Sequence, residues 1–206
     1  MVTRNNSAMI LVINGSYRDD GVIDRVVEVA VTALQQAGAE VDHVYLREHP
    51  IEFCLNCREC TQKPGEAPGQ CVQQDGMKEL IERIEQADAF ILASPTNFGS
   101  VTAVFKRFME RLIVYSYWPW GNRYPRSRKA NSRKKKALLI SSSAAPGFLG
   151  RWMYNTGKQL KTAAQTIGAE PTGKLFTGGI DKDLEHKISP RVEAKARTMA
   201  GMLLDP

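Results

Sequence analysis

The 206-residue chain has no uninterrupted apolar stretch approaching the roughly 18–20 residues that cross a bilayer. Its N-terminal run AMILVI is shorter than the roughly 7–15 residues of a secretory signal, and no small-residue cleavage site follows it. These absences predict a cytoplasmic protein with no membrane partner. Histidine is scarce: His43, His49 and His186 stand apart, which leaves no triad or metal-ligand spacing. Neither GxxxxGK[ST] nor GxGxxG occurs, so neither of those nucleotide-binding turns is present. No repeat or linker divides the chain, and one domain over residues 1–206 is expected. Acidic residues are missing from Arg123 to Lys136, a segment with eight basic ones. Elsewhere the balance is 20 basic against 22 acidic, so the net charge of +6 belongs to one basic loop, taken as residues 117–136. A near-neutral body with one basic loop predicts no nucleic-acid partner. Cysteine is confined to Cys54–Cys71, inside a cysteine-rich loop spanning residues 52–74.

With 43% hydrophobic and 24% charged residues, the composition is that of a globular domain with a real core. Met9–Ile13 is a continuous apolar run broken by Asn14-Gly15-Ser16, as a buried parallel strand would be. Val22 to Ala37 has helical spacing and a stop at Gly38. Further strands are expected at Val41–Leu46, Ala89–Ala93 and Ala137–Ile140, with a weak fifth at Leu175–Phe176. Further helices are expected after Asp75, after Ser100 as the cap, from about Arg151 to Ile167, and one ending near Leu204. This alternation predicts an α/β fold: a five-stranded parallel sheet with helices on both faces. Such a sheet takes its ligand beyond the carboxyl ends of its strands, where strand order reverses.

Three loops lie there. Gly15–Gly21 (GSYRDDG) offers the hydroxyls of Ser16 and Tyr17, the Arg18 guanidinium and the N–H groups of a helix start. Those are the parts of a monophosphate site, or of an ordinary turn with a solvated arginine. Ser94–Ala103 (SPTNFGSVTA) combines the stiff Pro95 with donors at Thr96, Asn97, Gly99 and Ser100. Phe98 adds a flat apolar surface, suited to a heteroaromatic ring with polar edges or else to core packing. Ser141–Gly147 (SSSAAPG) lets a ligand approach the backbone closely.

Strand–GSxR, the cysteine-rich loop, strand–SPTxFGS and the helix KRFMER together resemble the NAD(P)H-dependent FMN reductase and iron–sulfur flavoprotein branch of the flavodoxin-like superfamily. The resemblance covers about Met9–Leu112, and SPTNFGSVTAVFKRFMER is its most specific piece. It implies a flavodoxin-like fold and a hydride passed from NAD(P)H through FMN to a quinone, flavin or other small acceptor. The flavin would carry the chemistry, with no catalytic side chain. Ser16, Arg18, Gly21, Val22 and Ile23 would hold the FMN phosphate, the last three through backbone N–H groups. Pro95, Thr96, Asn97, Phe98, Gly99 and Ser100 would line the ring, and Ser142, Ser143, Ala144, Pro146 and Gly147 would close its far side. Relatives usually place Asn and Thr where Val22 and Ile23 stand, which removes one hydroxyl contact, and often Tyr at Asn97.

The cysteines run Cys54-x2-Cys57-x2-Cys60-x10-Cys71. That spacing suits a [4Fe–4S] cluster better than two separated Cys-x2-Cys pairs for zinc; free thiols are the third reading. The iron–sulfur flavoproteins resemble it with a shorter last gap, here lengthened by TQKPGEAPGQ. An FMN/[4Fe–4S] electron carrier is therefore the alternative function. From Tyr117 to Lys136 no clear element is expected, and Trp118 and Trp120 suggest packing on a second subunit in a homodimer or tetramer, as the resemblance also implies.

Overall fold

In Met9–Asn14 (β1) every residue from Ile10 onward is buried, as the interior of a parallel sheet requires. The structure is a computed structural model and describes residues 7–144, 153–178 and 188–205. Four more strands join β1: Glu40–Tyr45 (β2), Ala89–Pro95 (β3), Lys135–Ser143 (β6) and Ala169–Gly178 (β7). All pairings are parallel and the order is β2-β1-β3-β6-β7. Two short strands, Ser116–Tyr117 (β4) and Arg126–Ser127 (β5), pair antiparallel outside this sheet. The helices described are Val22–Gln36 (α1), Met77–Gln86 (α2), Ala103–Arg111 (α3), Thr156–Thr166 (α4) and Pro190–Gly201 (α5).

The period-2 alternation of the strands sorts the core into two layers. Ile10, Val12, Ile91, Leu138, Ile140 and Leu175 meet α1 and α5 on one face. Leu11, Ile13, Phe90, Leu92 and Leu139 meet α2, α3 and α4 on the other. This is the flavodoxin-like fold expected. The chain runs outward from β1 to β2 and returns on the other side of β1 as β3. The reversal therefore lies between Asn14 and Pro95, where ligands of such sheets bind.

Several expectations change. The fifth strand has ten residues rather than two. Pro171 and Gly173 mask it, yet Pro171 is tolerated on an edge strand and a register shift at Ala137/Leu138 absorbs the irregularity. A Cβ on Gly173 would sit 3.0 Å from the Leu138 side chain, a contact that would make that side chain give way by a few tenths of an ångström. Thr102, not Ser100, caps α3, its hydroxyl accepting from the Phe105 N–H. The next helix is described from Thr156, and its expected start near Arg151 lies outside the described residues. The stretch from Tyr117 to Lys136 is not featureless: it contains β4's end, β5 and the first two residues of β6.

Candidate functional site

The first loop is organised by an atom set that the sequence does not advertise. Asn14 is fully buried at the end of β1. Its Oδ1 accepts from the Ser16 N–H (2.8 Å) and its Nδ2 donates to Asp24 of α1 (2.6 Å). Gly15 passes beneath α3, where the Thr102 hydroxyl donates to its carbonyl at 2.7 Å. Ser16 is buried, and its hydroxyl bonds both the N–H and the carbonyl of Arg18. The Arg18 side chain points into solvent and joins no ion pair among the described residues.

Gly21 is the N-cap of α1, and no side chain caps that helix. The side chains of Val22 and Ile23 belong to the core, so only their backbone donors are available to the loop. The nearby carboxylates are partly neutralised: Arg47 contacts Asp19 at 2.6 Å and Asp24 at 3.7 Å. Burial raises the pKa of Asp24, against the opposing pull of Asn14 and Arg47. An uncapped helix start, a free guanidinium and hydroxyls make the donor set an oxyanion takes.

The second loop stands beside the first. Pro95 ends β3 opposite Ser142 of β6, and the Thr96 N–H donates to the Ser142 carbonyl at 2.7 Å. Asn97 and Ser100 exchange backbone hydrogen bonds of 2.9 and 3.0 Å, which forces Phe98 (φ 48°) and Gly99 (φ 74°) into the left-handed region. Glycine adopts that conformation freely and phenylalanine does not. Phe98 sits fully exposed at the tip, so the reading of it as a core side chain is overturned. Two residues some sixty positions away pin this turn: Thr156 through the Thr96 hydroxyl (2.9 Å), and Gln159 by accepting from the Ser100 hydroxyl and the Val101 N–H. Ser142 and Ser143 are buried beside them and Ala144 is exposed, while Pro146 and Gly147 lie outside the described residues. Thus Ser16 to Ile23, Pro95 to Ser100, and Ser142 to Ala144 come together at the carboxyl edge of β1, β3 and β6. Asn14, Thr102, Thr156 and Gln159 were missed; only Asn14, a polar end to an apolar run, left a local sign.

The four cysteines line a single recess with room for about 20 Å³. None is in a disulfide, and Cys60 is buried while Cys57 is exposed. Burial, aided by the other three cysteines, pushes the Cys60 thiol up to about 11. Among the described residues no three Cys, His, Asp or Glu side chains converge as ligands of one ion. The recess brings the four thiols to one place, but its room is about that of one water rather than of a cluster. Arg111, 1% exposed, donates to Asp75 (2.6 and 3.0 Å), to the Glu52 carbonyl and to the Cys71 sulfur.

The basic loop closes over this segment. Arg58 lies between the rings of Trp118 (3.7 Å) and Trp120 (4.3 Å). Arg128, 6% exposed, donates to the carbonyls of Cys60, Lys63, Gly65, Val114 and Ser116. The tryptophans therefore have a partner within the chain. The long gap before Cys71 is folded too: a Cβ on Gly69 would lie 1.7 Å from the Cys60 carbonyl oxygen.

Known proteins share parts of this sequence and its fold. An iron–sulfur flavoprotein of Archaeoglobus fulgidus is 37% identical over 105 residues, which is 51% of this chain and 46% of that protein. A Bacillus subtilis protein named as an NAD(P)H-dependent FMN-containing oxidoreductase is 32% identical over 141 residues, 68% of this chain and 70% of the relative. The chain spans about half the length of the iron–sulfur flavoproteins it matches. An NAD(P)H:quinone oxidoreductase from Methanothermobacter marburgensis shares the fold, with a TM-score of 0.66 at 19% identity, covering 97% of this chain and 96% of that one. A family model described as NADPH-dependent FMN reductase matches residues 8–164, from the start of β1 through the α4 residues that pin the second loop. The chain belongs to the NADPH-dependent FMN reductase family.

Proposed function

We propose that the chain holds FMN at the carboxyl edge of β1, β3 and β6 and acts as an NAD(P)H-dependent flavin oxidoreductase toward a quinone, flavin or other small acceptor. The observation that carries this is the uncapped start of α1 beside the free Arg18, one loop away from the exposed Phe98 turn. The donors fit a phosphate, and the turn with buried serines beside it fits a flat ring. When bound, FMN supplies the redox chemistry between NAD(P)H and the acceptor.

The chain's own part is binding and orientation. The N–H groups of Val22 and Ile23, the Ser16 hydroxyl and Arg18 take the phosphate. Asn14 and Thr102 fix the loop that carries them. Thr96 to Ser100, held by Thr156 and Gln159, present backbone donors to the ring, with Ser142 and Ser143 behind. Removing Arg18 (Arg18→Ala) deletes a charge-assisted contact of about 1.5–3 kcal/mol, so FMN affinity falls roughly 10- to 150-fold. Calorimetric titration of the apoprotein checks this, and unchanged affinity refutes the assignment. Anaerobic stopped-flow mixing with NADH and NADPH tests the reductase itself; a flavin that neither bleaches within minutes overturns it.

The second reading, an electron carrier with FMN and a [4Fe–4S] cluster, is favoured by the recess that gathers Cys54, Cys57, Cys60 and Cys71 beside the buried cation Arg111, with Arg128 bonded to the Cys60 carbonyl. Those cations would offset the negative charge of four thiolates. Iron and acid-labile sulfide on anaerobically purified protein separate the two readings. The assembly proposed is a homodimer or tetramer, since Phe98 is fully exposed and Trp120 stays 63% exposed after stacking on Arg58. Sedimentation of wild type against Trp118→Ala/Trp120→Ala checks it; a wild type that is monomeric at micromolar concentration ends the idea. Among the described residues no helix is long and apolar enough to cross a membrane.

A further inference from the structure

A cavity of about 380 Å³ opens between α4 and the outer strands β6 and β7, within the range of small-molecule sites. Its apolar walls include Leu139, Tyr154 and Phe176. Its charged lining is Lys158, Lys161 and Lys174, and among the described residues no carboxylate lines it. None of these lysines forms an ion pair with a described residue. Lys158 and Lys161 lie three residues apart on one side of α4, and Lys174 faces the same space from β7. Asn155, the N-cap of α4, gives no side-chain cap, so the positive end of that helix adds to the same field. Three cations around one concavity, with no ion-pair partner among the described residues, repel one another, and a multiply charged anion relieves that repulsion.

The cavity also adjoins the site described above. Thr156 lines it and shares a hydrogen bond with Thr96 of the second loop, and the Asn155 N–H donates to the Gly99 carbonyl at 2.8 Å. A ligand lying across both places its aromatic, phosphate-bearing end about a loop's width from the ring-binding turn. We infer that this cavity takes the adenosine end of the reduced nicotinamide dinucleotide, with Lys158, Lys161 and Lys174 binding the ribose phosphate that distinguishes NADPH from NADH. Tyr154 and Phe176 supply flat surface for the purine. The inference rests on the reductase reading for its choice of ligand, but its binding test does not.

The test is calorimetric titration of the full-length protein with 2′,5′-ADP, 5′-AMP and inorganic phosphate. The expected result is 2′,5′-ADP binding at least about 10-fold tighter than 5′-AMP, with inorganic phosphate a poor competitor. Lys174→Gln and Lys158→Gln, both exposed positions, each weaken 2′,5′-ADP about 10-fold while changing 5′-AMP much less. In turnover they raise the KM for NADPH far more than that for NADH. Equal affinity for the two nucleotides, unaltered 2′,5′-ADP binding in both variants, or equally good binding of inorganic phosphate overturns the assignment. If neither dinucleotide bleaches the flavin yet the selective 2′,5′-ADP binding and its loss in the variants persist, the reductase reading fails and the nucleotide site stands.

Discussion

Replacing Arg128 by methionine keeps most of the side chain's volume and removes its guanidinium, which isolates what five carbonyl contacts contribute. Nε reaches Val114 and Ser116, Nη1 reaches Gly65, and Nη2 reaches Cys60 and Lys63, at 2.8 to 3.3 Å. Hydrogen bonds from a charged donor are worth about 1.5–3 kcal/mol each, which for three donor groups would give about 4.5–9 kcal/mol if they added. They do not add, and burying a cation with no carboxylate opposite it carries a desolvation cost that the variant recovers. Burial likewise lowers the pKa of Arg128, with Cys60 and Tyr117 opposing. The net loss expected is about 2–4 kcal/mol, or roughly 5–15 °C in Tm for a domain of this size. Because the acceptors straddle the segment before Cys71, Cys60 should also become reactive toward a thiol reagent, at least about 10-fold faster than in wild type. Arg128→Lys keeps the charge but not the fork, and should restore less than half of the loss. An unfolding free energy within about 1 kcal/mol of wild type, together with unchanged Cys60 labelling, would refute the reasoning.

The other expectations are briefer. Gly15→Ala places a Cβ 2.8–2.9 Å from the Phe105 side chain and 3.2 Å from the Thr102 hydroxyl, so overpacking should cost about 1–3 kcal/mol. Equilibrium urea unfolding reads this, and a cost under about 0.5 kcal/mol refutes the close approach. His43 is held near pKa 4, against 6.5 normally, by burial first and by Arg47 second, with Asp42 opposing. Its cationic form is disfavoured in the folded state, so its contribution is complete above pH 6.5 and is lost as pH falls from 6.5 toward 4. His43→Gln should flatten the pH dependence of stability in that window; an unchanged slope refutes it.

Much of the fold was legible because its central strands are buried on both faces and so read as unbroken apolar runs. β1 and β3 could be placed from MILVI and AFILA alone. β7 could not, because an edge strand need not be apolar and a register shift can hide Pro171 and Gly173 within it. The cap of α3 was misplaced by two residues for a different reason. Ser100 and Thr102 are equally good caps by composition, and the choice falls to the Asn97–Ser100 turn, which occupies Ser100 with Gln159 and leaves Thr102 free to cap. Phe98 breaks the turn rule outright. A bulky residue at positive φ, fully exposed, is the kind of local conflict that marks a functional position rather than a packing one. Arg128 was illegible among eight cations because only tertiary contacts single it out.

The helix KRFMER joins the two parts of the molecule proposed to carry chemistry. At its start Thr102 grips the Gly15 carbonyl, and at its end Arg111 grips the cysteine segment on both sides, through Glu52 before it and Cys71 and Asp75 after it. The Glu52 N–H completes the ring by donating to Asp75 at 2.8 Å. Burial alone would raise the pKa of Asp75, but the Arg111 guanidinium and the N–H groups of Glu52 and Met77 outweigh it and hold the pKa below the ordinary value. The carboxylate therefore stays charged, and the pair closes the excursion from β2 to α2 into a loop with fixed ends. Nine helical residues at about 1.5 Å each set the separation of the two anchors at about 13 Å. The oxyanion loop and the cysteine recess thus share one rigid strut, and neither can shift along it without breaking a buried hydrogen bond at its own end.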